Sequence, residues 1–395
     1  MEMKKYKLGD LLTIKNGCDH KKLKDGKYPV YGSGGIMRYV DSYLYDKESV
    51  LLPRKGTLSN IQYACEPFWT VDTIYYTELK SDLVNAYYLY RYLSLLDLSG
   101  LDSGTGVPSM TFDAYYNISV SLPPLPTQQK IAAVLSSLDK KIALNSRINA
   151  RLEQMAKRLY EHYFVQFDFP TADGKPYKTS GGKMVYSSEL KREIPDGWEV
   201  KRLGECLKHI NTGLNPRDNF KLGNGNIKYI TVKNLTVNGI IDFSGCDLID
   251  ENARLIVHER SQITKGDILF ASISPLGRCY IIQEEPKDWD INESVFAISP
   301  NQEILSSEYL YCYLTSQWFM KKAEKEATGS IFTGIRMAAL NAMPVIVPDK
   351  EALQLFTNYS KSIFQQKDKL FKENEYLTSL RDRLLPLLMN GQVSV

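Results

Sequence analysis

The chain has 395 residues, of which 43% are hydrophobic and 24% charged, with a formal net charge of +3. That length calls for two or more domains, each able to bury a core, and the small charge argues against a strong non-specific nucleic-acid binder while leaving room for one that gathers its cations on one face. No apolar run approaches the roughly 18 residues of a membrane span, the lysine-bearing start lacks the apolar centre of a signal peptide, and six scattered cysteines without a CxxC pair indicate neither a zinc ribbon nor a disulfide framework, so a reducing cytoplasm is the expected location.

Residues 1–125 read as a mixed α/β domain. KKYKLGDLLTIKNG is a short element closed by Gly17, and the stretch after it is cut into short β-branched and aromatic runs by Gly26, Pro29, Gly32, Gly34 and Gly35. SVLLPRKGTLSNIQY predicts a strand, a turn at Arg54-Lys55-Gly56 and a return strand. Val71–Tyr76 predicts another strand, and Asp82–Leu98 a helix carrying Tyr87, Tyr88, Tyr90 and Tyr92, whose spacing favours core over a stacking platform. A strand at Asn117–Leu122 is stopped by Pro123, Pro124 and Pro126.

A long helix follows, predicted over Thr127–Phe164 with Thr127 as its cap, within a spacer drawn at 126–164. Ile131, Leu135, Leu138, Ile142, Asn145, Asn149, Leu152, Ala156, Leu159 and Tyr163 alternate in steps of four and three, which keeps a narrow seam on one face. At about 1.5 Å per residue the rod would span about 57 Å, more than a small domain needs for its own core. Residues 165–197 are rich in Gly, Pro, Ser and Lys and predict an irregular connector.

The plan then restarts over residues 198–348. Leu203-Gly204-Glu205 answers Leu8-Gly9-Asp10, GDILFASISPLGRCYII answers SVLLPRKGTLSNIQY, SSEYLYCYLTS answers NAYYLYRYLSL, and ATGSIFTGIRMAALNAMPVIVP answers GTGVPSMTFDAYYNISVSLPP. A second long helix occupies 349–395, opened by Pro348-Asp349-Lys350. Its seam runs through Phe356, Tyr359 or Ser360, Ile363, Lys367, Leu370, Asn374, Leu377, Leu384 and Leu388, and Pro386 is expected to end or kink it. Such a duplication sets the architecture: two related α/β domains and two long helices whose matched seams can pair, with Asn145, Asn149, Asn374 and Lys367 as polar register markers. The interiors of the two domains share little sequence, so one frame presents two different surfaces.

Two unlike heads on spacer helices could measure the separation of two short sites on a duplex. In the first domain the candidate contacts are Lys15, Lys21, Lys22, Lys24, Lys27, Arg38, Arg54 and Lys55, beside Tyr28, Tyr31, Tyr39 and the glycine-rich turn at Ser33. In the second they are Asn215, Arg217, Lys221, Lys228, Lys233, Asn234, Ser272, Ser274, Arg278 and Asn292. Lysine supplies point charges for phosphates, arginine forks onto guanine and asparagine onto adenine. Arg54 and Arg278 stand out because each lies at or just past the same turn of the repeat. No P-loop, dinucleotide fingerprint, HxxxH pair or nuclease cluster is found, and the four histidines stand alone, which fits a binding module better than an enzyme.

The run Leu122-Pro-Pro-Leu-Pro-x-Gln-Gln-Lys-Ile131, then Leu135–Asp139, Asn145 and Leu152-Glu153-Gln154, resembles the first conserved region of type I restriction–modification specificity subunits. The Leu-Gly-Asp and Leu-Gly-Glu openings and Ile194-Pro195-x-Gly197-Trp198-Glu199 are similar to that family too, and the likeness extends over essentially the whole chain. At the second helix Asp349-Lys350-Glu351-Ala352 departs from the pattern. The resemblance implies two target recognition domains on an antiparallel coiled coil and a non-catalytic subunit that binds an asymmetric, bipartite double-stranded DNA target. It also implies partners, two methyltransferase subunits and restriction/translocase subunits. S-adenosylmethionine, ATP and Mg²⁺ would belong to those partners and none to this chain. Gln128, Gln129, Arg147, Arg151, Lys157 and Arg158 are the candidate partner contacts. A related system with methylation and cleavage organised differently, a scaffold without a DNA role, and a nuclease with an unrecognised site remain as alternatives.

Overall fold

The computed structural model describes residues 3–101, 108–217, 219–327 and 333–393, and the chain divides into two compact units, Met1–Ala143 with Glu375–Val395, and Leu144–Asn374. In chain order the first unit contains β1 (Lys4–Lys7), α1 (Leu8–Leu11), β2 (Leu12–Asn16), β3 (Asp25–Gly32), β4 (Gly35–Val40), β5 (Ser49–Pro53), β6 (Gln62–Ala64), β7 (Trp69–Thr70) and β8 (Ile74–Leu79). Helices α2 (Ala86–Leu93) and α3 (Phe112–Tyr116) and strand β9 (Ser119–Leu122) follow, and then the long helix α4 (Leu125–Tyr160), which contributes to both units.

The second unit contains the hairpin β10 (Met184–Ser187) and β11 (Arg192–Pro195), then β12 (Glu199–Arg202), β13 (Leu207–Thr212), β14 (Ile227–Ile230), β15 (Asp247–Ile249) and α5 (Glu251–Arg260). Strands β16 (Ile268–Ala271), β17 (Cys279–Ile281), β18 (Trp289–Ile291) and β19 (Val295–Pro300) lead to helices α6 (Ser307–Leu314), α7 (Gln317–Glu326) and α8 (Met337–Asn341). Strand β20 (Pro344–Val347) and the long helix α9 (Lys350–Met389) complete the order.

Each unit holds a four-stranded sheet, a three-stranded sheet and a two-stranded pair: β2-β8-β5-β6, β4-β3-β7 and β1-β9 in the first, β13-β19-β16-β17, β15-β14-β18 and β12-β20 in the second. The small sheets agree even in direction. Strand β3 is antiparallel to β4 and parallel to β7, as β14 is to β15 and β18. The duplication therefore extends through the interior, where sequence likeness is lost, because strand pairing needs a matching pattern of burial rather than matching residues. Strand β5 (SVLLP) is buried at every position, as a continuous apolar run between two partners should be. The matched segments at 104–107 and 328–332 lie outside the described residues.

The offset between the repeats grows by one residue from Leu8/Leu203 to Gly17/Gly213, and a bulge between Leu207 and His209 absorbs it. A methyl group on Gly17 would stand 2.1 Å from the Val71 carbonyl oxygen, and one on Gly213 1.8 Å from that of Ile291. Backbone passes too close at both places for any side chain. The tyrosine helices pack alike: Asn85 and Ser306 cap them by accepting the Tyr88 and Tyr309 N–H groups at 2.9 and 3.2 Å, and Tyr87, Tyr88, Tyr309, Tyr311 and Tyr313 are buried.

The long helices run antiparallel. In the second unit the Asn145 amide donates to Glu373 at 2.8 Å and the Asn374 amide to Ser146 at 3.1 Å, while Glu153 meets Lys367, so one number falls as the other rises. Every predicted seam position on α4 is buried or half-buried, and on α9 the seam takes Ser360 rather than Tyr359. Two local expectations are corrected. Helix α4 starts at Leu125, two residues before Thr127, because Pro126 sits in the first turn, where its missing N–H costs nothing. Within residues 165–197 the stretch Met184–Pro195 forms a regular hairpin rather than an irregular path, and its Ile194, with Phe167, Phe169 and Trp198, enters the core, while 166–183 follow turns and loops as expected. Helix α9 ends at Met389, with Pro386 in its last turn as expected. Asp349 caps α9 by accepting the Ala352 N–H at 2.7 Å, and its other oxygen receives the Trp198 indole at 3.0 Å.

Helix α5 has no helical counterpart between β4 and β5. Its His258 imidazole lies 2.7 Å from the fully buried Asp290 of β18, with Arg254 at 3.8 Å. Burial pushes the Asp290 carboxyl up to about 6, against the pull of the Ile291 N–H, His258 and Arg254. An acid raised in the folded state adds stability that is full below about pH 4 and lost as pH rises through about 6. Asp290→Asn is therefore expected to flatten the stability profile between pH 4 and 7 and to gain roughly 1–3 kcal/mol above pH 7. Denaturant unfolding across that range checks it, and an unchanged slope would show that Asp290 is not the titrating group.

Candidate nucleic-acid interface

In the first unit, three connections meet at the ends of the two sheets. The two-residue turn Ser33-Gly34 joins β3 to β4, residues 54–61 join β5 to β6, and residues 71–73 lead into β8. The Asn60 amide donates to the Ser33 carbonyl at 2.6 Å, the Gln62 amide to the Gly32 carbonyl at 2.9 Å, and the Ser33 N–H to the Thr73 hydroxyl at 3.3 Å. Arg54 is half-buried and donates to the Asp72 carbonyl at 3.3 Å, and Lys55 is exposed beside it. Ser33, Arg54 and Lys55 are thus brought together. Lys15 is spent elsewhere, on β2, against Glu78 at 3.7 Å. Lys21, Lys22, Lys24 and Lys27 are exposed on the approach to and start of β3, and Arg38 of β4 is held by Asp25 at 2.8 Å and the Leu23 carbonyl at 3.1 Å. Tyr31 packs edge-on to Phe68 at 6.0 Å, and burial pushes its hydroxyl up to about 12.

Strand pairing fixes the true equivalences in the second unit. The Met110 N–H donates to the Arg54 carbonyl and the Ile335 N–H to that of Ser272, so Arg54 corresponds to Ser272. Arg278 corresponds to Asn60, at the far end of the same connection. Both of these reach to the small sheet's first connection: Asn60 to Ser33, and the Arg278 guanidinium to the Leu235 carbonyl at 2.9 Å. Arg54 therefore stands at the start of this connection in the first unit, and Arg278 at the end of its copy in the second.

The other second-unit candidates divide by exposure. Arg217, Lys221, Lys233 and Ser274 are exposed, and exposed Asn215 donates to Glu293 at 3.1 Å. Lys228 is half-buried against Asp288 at 3.4 Å. Asn234 and Ser272 are buried: the first staples its loop by accepting the Thr231 N–H at 3.0 Å and donating to the Asp242 carbonyl at 2.9 Å, and the second donates to the Ser294 carbonyl at 2.7 Å. Asn292 accepts the Ser294 N–H at 3.0 Å. The sequence reading missed Asn60, Gln62 and Thr73. A register for β5 and β6 would have found Asn60, and residue type alone drew attention to Arg54.

On the long helices Gln128 is buried, donating to the Pro123 and Leu83 carbonyls at 2.9 and 3.2 Å and accepting the Asn85 N–H at 2.9 Å, so it joins α2 to α4. Gln129 is exposed and lines an open cleft of about 830 Å³ with Tyr31, Asn60, Tyr63, Tyr90 and Lys140. Lys157 pairs with Glu153 at 3.1 Å. Arg147, Arg151 and Arg158 are exposed, and with exposed Leu144 and Met155 they recur at helical spacing along one face of α4. No group of His, Cys, Asp and Glu among the described residues is placed to hold a metal, and no described helix is long and apolar enough to cross a membrane.

The family model described as the type I restriction modification DNA specificity domain matches residues 1–154 and again 195–376. The chain is 25% identical over 363 residues to the type I restriction enzyme MjaIX specificity subunit of Methanocaldococcus jannaschii, covering 89% of this chain and 79% of that one. It is 27% identical over 341 residues to the HindI specificity subunit of Haemophilus influenzae, covering 74% and 72%. The crystal structure of a type I restriction–modification S subunit from M. genitalium superposes with a TM-score of 0.63 at 17% identity, over 98% of this chain and 96% of that one, which is a likeness of fold.

Proposed function

The chain belongs to the type I restriction–modification DNA specificity family, and on that premise we propose that each unit reads one half of an asymmetric, bipartite double-stranded DNA target. Within such a complex the chain is a non-catalytic component that supplies DNA specificity. In our reading the paired helices hold a fixed spacer between the half-sites and carry the methyltransferase and restriction subunits. The observation that supports it best is one sheet plan built twice with unequal connections at the equivalent place: two residues between β3 and β4, and residues 231–246 between β14 and β15. A common frame fixes where a reading element stands, and a different element on each copy makes the two half-sites unrelated.

Lysines at 21–27 and at 221 and 233 would take phosphates, which position without specifying, and Arg54 and Arg278 stand where base edges would be tested. The face of Leu144, Arg147, Arg151, Met155 and Arg158 is our candidate for subunit docking. Methylation itself would take place in the methyltransferase, on an adenine drawn out of the stack. Selection from a random duplex library by the chain assembled with its methyltransferase subunits tests the reading. Enrichment of two fixed blocks separated by a constant run of free positions is expected. A pool no better bound than shuffled duplex would favour a scaffold without a DNA role.

A further inference from the structure

The β3–β4 hairpin carries features that neither the core nor the small sheet uses. Strand β4 is an edge strand, and it exposes three large apolar side chains: Ile36 at 49%, Met37 at 59% and Tyr39 at 51%. An uncovered apolar edge is a liability that folded proteins normally blunt or cover. The pairing runs Val30 to Arg38 and then Tyr31 to Ile36, so Met37 is the extra residue of a bulge. A second irregularity lies between Asp25 and Tyr28. Bulges sharpen the right-handed twist of a ribbon and re-aim the side chain they carry. The Met37 sulfur lies 2.7 Å from where a Gly32 side chain would begin, so Gly32 leaves the room it uses. At the tip nothing stands within 4 Å of a side chain built on Gly34 or Gly35.

Charge on the hairpin has one sign to spare. Lys21, Lys22, Lys24 and Lys27 are exposed and have no ion-pair partner among the described residues. The three carboxylates between residues 19 and 41 are each engaged locally: Asp19 accepts the Lys21 N–H, Asp41 the Lys24 N–H, and Asp25 pairs with Arg38. An apolar edge bordered by lysines in excess of the nearby carboxylates suits a polyanion with apolar groups in a groove. The major groove of B-form DNA admits a two-stranded ribbon and displays the thymine methyl.

Resting on the reading that this unit binds a DNA half-site, we propose that the bulged β3–β4 ribbon enters the major groove there, with Met37 against a thymine methyl and the lysines on the flanking phosphates. The edge strand is then covered by DNA in the working complex. Its counterpart in the second unit is the 231–246 connection, where Val237 is 69% exposed and Lys233 is exposed as well.

The test uses the chain assembled with its methyltransferase subunits and its selected duplex, with thymines of one half-site replaced by deoxyuridine. Wild type should lose about fourfold in affinity for each contacted methyl removed, while Met37→Ala should be insensitive to the replacement. Gly34→Trp, which meets open space in the fold, should block that half-site and leave thermal unfolding unchanged. An equal deoxyuridine penalty in wild type and Met37→Ala, a half-site without thymine, or wild-type binding by Gly34→Trp would each overturn the ribbon's role. So would release of methyltransferase subunits by Gly34→Trp with DNA affinity kept, which would make the edge a protein-docking surface. Those results leave specific binding by the wild-type complex intact, whereas failure of wild type to prefer its selected site over shuffled duplex would take down the parent reading as well.

Discussion

Glu153→Ala is expected to destabilise the second unit by about 3–5 kcal/mol, the usual cost of stranding one member of a buried ion pair. The Glu153 side chain is 6% exposed and that of Lys367 4%. Glu153 also accepts the Tyr311 hydroxyl at 2.8 Å and faces Lys157 at 3.1 Å. Its removal therefore leaves the Lys367 ammonium, among the described residues, with the rings of Tyr311 and Phe364 at 5.5 and 5.3 Å. Burial already pulls that ammonium's pKa down, against the upward pull of Glu153. Lys367→Met should cost less, because Glu153 keeps Tyr311 and Lys157. The double variant Glu153→Leu with Lys367→Met should recover much of the loss, since an apolar pair of similar volume has no charge to desolvate. Denaturant unfolding of the four proteins decides the matter. Two single variants each within about 0.5 kcal/mol of wild type, the range of ordinary surface changes, would show that the pair does not hold α9 on α4 and α6.

Arg54→Ala is expected to weaken recognition of one half-site by roughly ten- to hundredfold, the weight of about 1–3 kcal/mol for one specific base contact, and to leave the other half-site untouched. Arg54 lies at the start of the β5–β6 connection with one guanidinium nitrogen on the Asp72 carbonyl, which fixes the stem and leaves the rest of the fork for a ligand. Its effect should survive high salt better than that of Lys21→Gln with Lys22→Gln, since phosphate contacts carry the salt dependence. Methylation profiling of the variant in the assembled complex provides the measurement. Relaxation at both half-sites, or at neither, would remove Arg54 from the reading surface.

The parts of this architecture that depend on periodicity were legible in the sequence. The four-three seam of α4 and α9 survives at each predicted α4 position because a narrow stripe constrains every turn of a helix. Asn145 and Lys367 betrayed register devices because polar groups on such a stripe need partners. Their partners Glu373 and Glu153 did not announce themselves, since a glutamate off the seam looks like any solvated one. The same limit hid the cluster in the first unit, where Asp139 takes Tyr87, Arg91 and Arg381. Burial pushes that carboxyl up, but these hydrogen bonds and charges outweigh it and hold it below the ordinary carboxylate range.

Register between strands was the other blind spot. Arg54 and Arg278 look equivalent by residue type, yet pairing places Arg54 with Ser272 and Arg278 with Asn60, because the two arginines stand at opposite ends of connections that are equal in length by register. Buried Asn234 shows the related difficulty. An amide that reads adenine and an amide that staples a loop are the same residue until the neighbours are known.

The most direct measurement is a map of methylated adenines in cells that carry this chain with its partner subunits. Two unrelated blocks separated by a constant number of free positions, with only one block altered by Arg54→Ala, is the predicted outcome. A single uninterrupted motif, or two blocks at variable separation, would contradict the claim that two unlike units read one duplex together.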